Sequence, residues 1–309
     1  MLKLTVCLLT VMLGAFNVMG QAPTLRIVQP DGPNLPAELY YGDIKVKPLR
    51  LRPGTNQVIT IDDADFFVNQ QYVDFLSRFP DQVGFDYWIS QITSCPAGDQ
   101  LCINARRIAV SDAFFFEQEF HETGGFVYHL YRASFGADPP YAQFGPDRRQ
   151  IQVGANLDPS KTAFALDFVQ RAGFIAAYPA NMTAAQFVDK LLSTIQNNSQ
   201  VDLSSQRSSL MALYNGTNDG RAAILRAIET NQAFVDAEYN RLFVVGEYFG
   251  YLRRDPDTDG FNFWMFQISR YPLRNTEVQH AMVCSFITST EYQLRFGSNV
   301  THTNQECPQ

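Results

Sequence analysis

Scarcity bounds this chain before any motif does. Tryptophan occurs twice and histidine four times in 309 residues, so imidazole chemistry has few places to stand. Basic charge is the minority sign: 24 Lys and Arg against 31 Asp and Glu give a net charge of −7. The basic residues are scattered, which argues against nucleic acid and anionic lipid as partners, because both need clustered positive charge. Past the first twenty residues no apolar run approaches the ~20 residues that cross a bilayer as a helix. No Cys-x-x-Cys occurs and no histidine stands at ligand spacing from a cysteine, which argues against zinc. His121-Glu122 lacks the second histidine of a zinc protease, since Gly125 stands there. His129, His280 and His302 show no partner triad, and no Gly-x-Ser-x-Gly elbow accompanies the many serines.

Residues 1–20 combine Lys3, an apolar run from Leu4 to Phe16 and a small-residue exit at Val18-Met-Gly20, the pattern of a secretory signal peptide. Cys7 lies inside that run, which disfavours a lipid anchor. The rest of the chain holds Cys95, Cys102, Cys284 and Cys307, an even number suited to an oxidising compartment. Four cysteines allow three pairings. Cys95 with Cys102, closing a short loop, and Cys284 with Cys307, tying down a C-terminal tail at 298–309, are favoured. Sequons at Asn181, Asn197, Asn215 and Asn299 matter only in a host with secretory glycosylation.

Residues 21–65 carry six of the sixteen prolines and short alternating stretches, Asp43 to Arg52 and Gln57 to Ile61, which predict a small extended or β-like arm. The pattern changes at Asp62-Asp-Ala-Asp65, where carboxylates placed to cap a helix precede an apolar face of Val68, Tyr72, Phe75 and Leu76.

Both tryptophans fall at one place in two copies of a segment. Residues 67–92 read FVNQQYVDFLSRFPDQVGFDYWISQI and residues 243–268 read FVVGEYFGYLRRDPDTDGFNFWMFQI, aligned without a gap. Weaker copies begin at Phe126 and Phe187, the former keeping Tyr131 and Pro139 in register. Starts about 60 residues apart predict four divergent helical units whose apolar faces must be buried by stacking. The expected fold is mostly α, a helical repeat behind a short arm, with units one and two at 66–178 and three and four at 179–297. Segment 141–163, with Gly145-Pro146, Gly154 and Pro159, is the longest expected loop.

A structural task suffices for each repeated residue: Pro80 and Pro256 stop a helix, Asp81 and Asp257 cap the next, Gly84 and Gly260 make the turn, and Trp88 and Trp264 pack the corner. Arg78 and Arg254 either cap helix C-termini or pair with that aspartate. The string Phe-Val-x3-Tyr-x3-(Phe or Tyr)-Leu-x-Arg-x-Pro-Asp-x2-Gly-x3-Trp resembles the bacterial domain-of-unknown-function family numbered four-two-one-four. The resemblance implies a helical, exported module joined to other surface modules, with a helix pattern similar to phycobilisome linker domains, a scaffold or binding role, and no catalytic residue.

Two sharper chemistries remain as expectations. Asp255-Pro-Asp257-Thr-Asp259-Gly260 resembles the start of a calcium loop, but Phe266 stands where an EF-hand needs its bidentate glutamate. Glu117, Glu119, Glu122 and Asp112 supply carboxylates for an envelope carbohydrate-active hydrolase, or form a solvated helix face. Aromatic residues make up 13% of the chain and include Phe114-Phe-Phe116, placed at helical spacing for a core or exposed as a platform for sugar or peptide. The sequence as a whole points to an exported, non-enzymatic helical-repeat module that binds an envelope or extracellular protein or glycan, with no resident cofactor.

Overall fold

The computed structural model describes the backbone of three strands between residues 25 and 51, and residues 57–297 and 300–307 in full. The signal-peptide reading of residues 1–20 and the sequon at Asn299 lie outside the described residues. Strands β1 (Leu25–Val28), β2 (Ala37–Tyr41) and β3 (Ile44–Leu51) form an antiparallel sheet in the order β1-β2-β3, with Leu25 opposite Tyr41 and Ala37 opposite Leu51. Pro48 lies in β3, an edge strand, where its missing N–H costs no ladder bond on the outer side.

The rest is mostly helical. The first strong copy forms α1 (Ala64–Leu76) and α2 (Gln82–Thr93), followed by α3 (Gln100–Phe116) and the short α4 (Gln118–Phe120). A π-helical turn at His121–Gly125 leads into α5 (Phe126–Phe135), then α6 (Tyr141–Arg148), α7 (Leu157–Phe168) and α8 (Ala172–Ala177). Next come α9 (Ala184–Ser199), α10 (Arg207–Ala212) and α11 (Asn218–Glu229). The second strong copy follows in α12 (Gln232–Glu247), a second π turn at Tyr248–Leu252, α13 (Thr258–Ser269), α14 (Thr276–Ile287) and α15 (Thr290–Gln293).

Segment 141–163 is not a loop. It holds α6, with Pro146 inside, and the start of α7. Tertiary contact overrides the local breakers: Phe144 and Tyr141 pack in tilted contact on Phe249, at 4.9 and 5.5 Å between ring centroids. Pro140 stands before the helix in the extended conformation that suits an entry.

The aspartates at 62–65 divide their work. Asp63 occupies the N-cap of α1 without a side-chain cap bond, and its carboxylate accepts from the Thr60 N–H at 2.8 Å. Asp62 instead accepts from Arg107 and from Thr301 in the C-terminal tail. The expected apolar face of α1 is buried, with Val68, Tyr72, Phe75 and Leu76 in the core.

One hydrophobic core runs from Ile59 to Cys307. The helices meet in an order different from the chain: α3 packs against α14 and α1 against the second π turn, while α5 packs against α9 and α7 against α11. The two strong copies thus meet on one side of the core, and helices between them, α5, α7, α9 and α11, pair on the other. Phe114 and Phe115 are wholly buried, so most of the Phe114-Phe-Phe116 run is core. Disulfides join Cys95 to Cys102 and Cys284 to Cys307. Among the described residues no helix is long and apolar enough to cross a membrane.

Candidate binding cleft

The two strong copies build the same corner twice. α1 ends with Ser77 in the left-handed region (φ 49°), and the matching helix ends with Arg253 there (φ 55°). Asp81 caps α2 by accepting from the Gly84 N–H at 2.9 Å, and Asp257 caps α13 from the Gly260 N–H at 2.8 Å. The arginines pair mainly outside the loop. Arg78 grips Glu119 of α4 with two 2.7 Å bonds, and Arg254 grips Glu291 of α15 at 2.6 and 3.0 Å. Each also lies over a tyrosine ring, Tyr72 at 5.0 Å and Tyr248 at 5.2 Å. Trp88 packs on Phe114 and Trp264 on Phe286.

The glycines have another reason than a turn. Gly84 and Gly260 sit in the first turns of α2 and α13, where a Cβ would stand 2.3 Å from the Tyr72 hydroxyl and 2.2 Å from that of Tyr248. The tyrosine ring itself is held edge-on by an aromatic of the third helix: Tyr72 on Phe114 at 4.8 Å, Tyr248 on Phe286 at 5.0 Å, and, in the second unit, Tyr131 on Phe168 at 5.0 Å.

Between the copies lies a cleft of about 330 Å³. Val73 and Ser77 of the first copy face their positional counterparts Phe249 and Arg253 of the second across it, and α6 closes the side with Tyr141, Phe144, Arg148 and Arg149. α6 is positioned by two contacts. The Tyr141 N–H donates to Asp255 at 2.7 Å, and Gly124 in the first π turn lets Phe144 and Arg148 approach its backbone, a Cβ there meeting them at 3.1 and 3.3 Å.

The electrostatics of the cleft are one-sided. Asp74, buried in its wall, is shared by Arg253 at 2.7 Å and Arg295 at 2.8 Å. Glu119 is taken by Arg78. Arg148 is only 2% exposed and has no carboxylate partner among the described residues. Its Nε donates to Thr123 and its Nη1 to Ser77, both at 3.3 Å, and its Nη2 has no partner. Burial pushes this guanidinium down to about 9, with Arg78 and Arg149 adding to the push and Glu119 opposing it. Charge without a counter-ion in a low-dielectric wall gives the cleft a positive field despite the acidic chain.

Glu247 and Asp112 are the other unusual carboxyls. Asp112 lies 3.0 Å from His280, yet burial raises it. Glu247 is wholly buried with neither oxygen hydrogen-bonded. Burial, then Asp112, hold it well above the usual carboxylate range; the Tyr251 hydroxyl opposes them but is engaged by Ser111 at 2.6 Å.

None of Glu117, Glu119, Glu122 or Asp112 lines the cleft. Glu122 accepts from Gln118 on the same helical face. Of the acidic loop, Asp255 holds the α6 N-terminus, while Asp257 is used on one oxygen by Gly260 and on the other by Arg254. Among the described residues no group of three or more His, Cys, Asp or Glu is placed to hold a metal. Two of the histidines have carboxylate partners, His280 with Asp112 at 3.0 Å and His302 with Asp62 and Glu306, each at 2.7 Å, whereas the buried Nε2 of His129 has none among the described residues. The Arg148-Arg149 pair was the one sequence signal for the cleft, hidden in what reads as a loop. Family models, curated proteins and solved structures contain no match to this chain.

Proposed function

We propose that the protein is an exported, non-enzymatic helical-repeat module that holds an envelope or extracellular partner in the cleft between its first and last units. The cleft carries this reading: a recess large enough for a small ligand, lined by guanidinium and aromatic groups. Its one carboxylate, Asp74, is held in two ion pairs. A glycoside hydrolase needs two carboxyls flanking the scissile bond, and this lining does not offer them.

The recurring corner supports the same reading. The tyrosine and third-helix aromatic pair recurs in units one, two and four, and the capped Arg-x-Pro-Asp corner recurs in one and four. That repetition accords with the resemblance to the four-two-one-four family and its scaffold role. Two disulfides suit a protein that works in an oxidising compartment.

The test is capture from envelope extract with the wild-type chain and with Gly145→Trp. Gly145 lines the cleft, and beyond its chain neighbours a Cβ there meets only the tip of Arg149, at 3.6 Å, so the larger side chain has room on that side; circular dichroism checks that the helix before Pro146 survives the change. A partner retained by wild type and lost by Gly145→Trp is the expected result. Equal retention by both removes the cleft from the proposal.

A further inference from the structure

We infer that the cleft is a site for a tetrahedral oxoanion, a phosphate or sulfate ester carried on a sugar-sized ring. This rests on the cleft being the binding site and names what it takes.

The charges facing the cleft are Arg78, Arg148, Arg149 and Arg253, with Arg295 behind Asp74. Against these five cations stand Glu119, Asp81 and Asp74, each already in an ion pair with Arg78, Arg253 or Arg295. Arg148 and Arg149 have no carboxylate among the described residues. A buried cation without a counter-ion is costly to maintain, and an incoming anion relieves that cost. Arg148 acts through its field, since its Nη2 is enclosed in the cleft wall. Arg149, exposed at the C-cap just past α6, and Arg253, nearly half exposed, have donors free to contact ligand directly. Two guanidinium groups with free donors in one cleft suit an acceptor with three outward oxygens better than a single carboxylate.

The aromatic groups supply the second half of the recognition. Tyr141 and the exposed Phe79 border the cleft, and Phe144 and Phe249 lie beneath, a set of mutually tilted rings that gives a sugar ring an apolar surface to pack on. The volume of about 330 Å³ accommodates one phosphorylated or sulfated monosaccharide, or the terminal residue of a polymer.

The test is thermal shift and calorimetric titration of the full chain with glucose 6-phosphate, a phosphorylated polysaccharide, inorganic phosphate, sulfate and unmodified glucose, the small probes at concentrations up to about 10 mM. Glucose 6-phosphate is expected to raise Tm and glucose to leave it unchanged. Arg149→Gln and Arg253→Gln are each expected to weaken glucose 6-phosphate by about tenfold. Arg149 is exposed, so its variant keeps the fold and the readout. Binding of the monomer points to a soluble ester, and binding only of a phosphorylated polysaccharide points to an envelope polymer; both support an oxoanion. The inference is overturned when no anionic probe binds, when glucose binds as well as its phosphate, or when Arg149→Gln and Arg253→Gln leave the affinity unchanged. In those cases a partner still lost on Gly145→Trp leaves the cleft as the binding site, and retention of that partner removes both.

Discussion

Gln71 and Glu247 hold the same position in the two copies, yet only Gln71 is paired. Its amide oxygen accepts from the Ser111 hydroxyl at 2.7 Å, whereas both oxygens of Glu247 are buried without a partner. An amide suits this place because it carries no charge into the core. Glu247 must keep its proton to remain there.

Glu247→Gln is therefore expected to leave stability at pH 5 unchanged and to raise it at neutral pH. A carboxyl whose folded pKa is raised binds more protons folded than unfolded, so stability falls as pH climbs from its ordinary 4.5 through the raised value. Urea midpoints across pH test this. A wild-type profile as steep as that of Glu247→Gln would show that the carboxyl is not protonated in the fold.

Gly84→Ala is expected to cost about 1–3 kcal/mol, because the new Cβ meets the Tyr72 hydroxyl while the ring is fixed against Phe114. Tyr72→Phe removes the obstructing oxygen. The double variant then recovers most of the loss, and the same cycle applies to Gly260 and Tyr248. Additive losses in denaturant melts would mean that the glycine answers to something other than the tyrosine.

The C-terminal tail has two fastenings of different kind. Opening Cys284–Cys307 releases a loop of sequence separation 23, and Cys307→Ser is expected to cost about 3 kcal/mol by loop entropy. The second is Asp62 with His302. Burial raises Asp62, but the His302 hydrogen bond and then Arg107 outweigh it and hold the carboxyl at about 2. His302 is raised by its bond to Asp62, against burial, with Glu306 adding to the rise. Asp62's share of the docking is present above about 3.8 and fades as pH falls toward 2; that of His302 is complete below 6.5 and fades as pH rises through its raised value. Hydrogen-exchange protection at residues 300–307, relative to the unfolded-chain rate at the same pH, is thus expected to be greatest at mildly acidic pH. Equal protection at about pH 9 would dissociate the histidine from the tail.

Calcium is expected to leave Tm unchanged relative to chelator. Asp257 spends one oxygen on the Gly260 N–H and the other on Arg254, and Asp255 holds the Tyr141 N–H. A ligand that binds only the folded chain raises Tm, so a reproducible rise in calcium would show that these bonds rearrange around the ion.

The duplicated segment, the helices that carry it and the caps at Asp81 and Asp257 are all legible in one dimension. The helices and caps are relations between residues three or four apart, and the duplication is a gapless match of two strings. The disulfides follow nearly as directly, since pairing near neighbours leaves the other two cysteines. Local reading failed where distant contact decides. Gly145-Pro146 looks like a loop, but Phe249, more than a hundred residues later, holds it as α6. Gly84 looks like a turn residue, but the Tyr72 hydroxyl is what demands it.

The sequence by itself determined a mostly helical chain, its two strong copies and its corner chemistry, because helical period and capping act within a few residues. The tertiary structure alone decided the partners. His302 finds Asp62 across 240 residues and Arg78 finds Glu119 across 41, and no spacing rule foretells either. Arg148 is the sharpest case. That a buried charge lacks a counter-ion is a statement about everything packed around it, and only the assembled core supplies it.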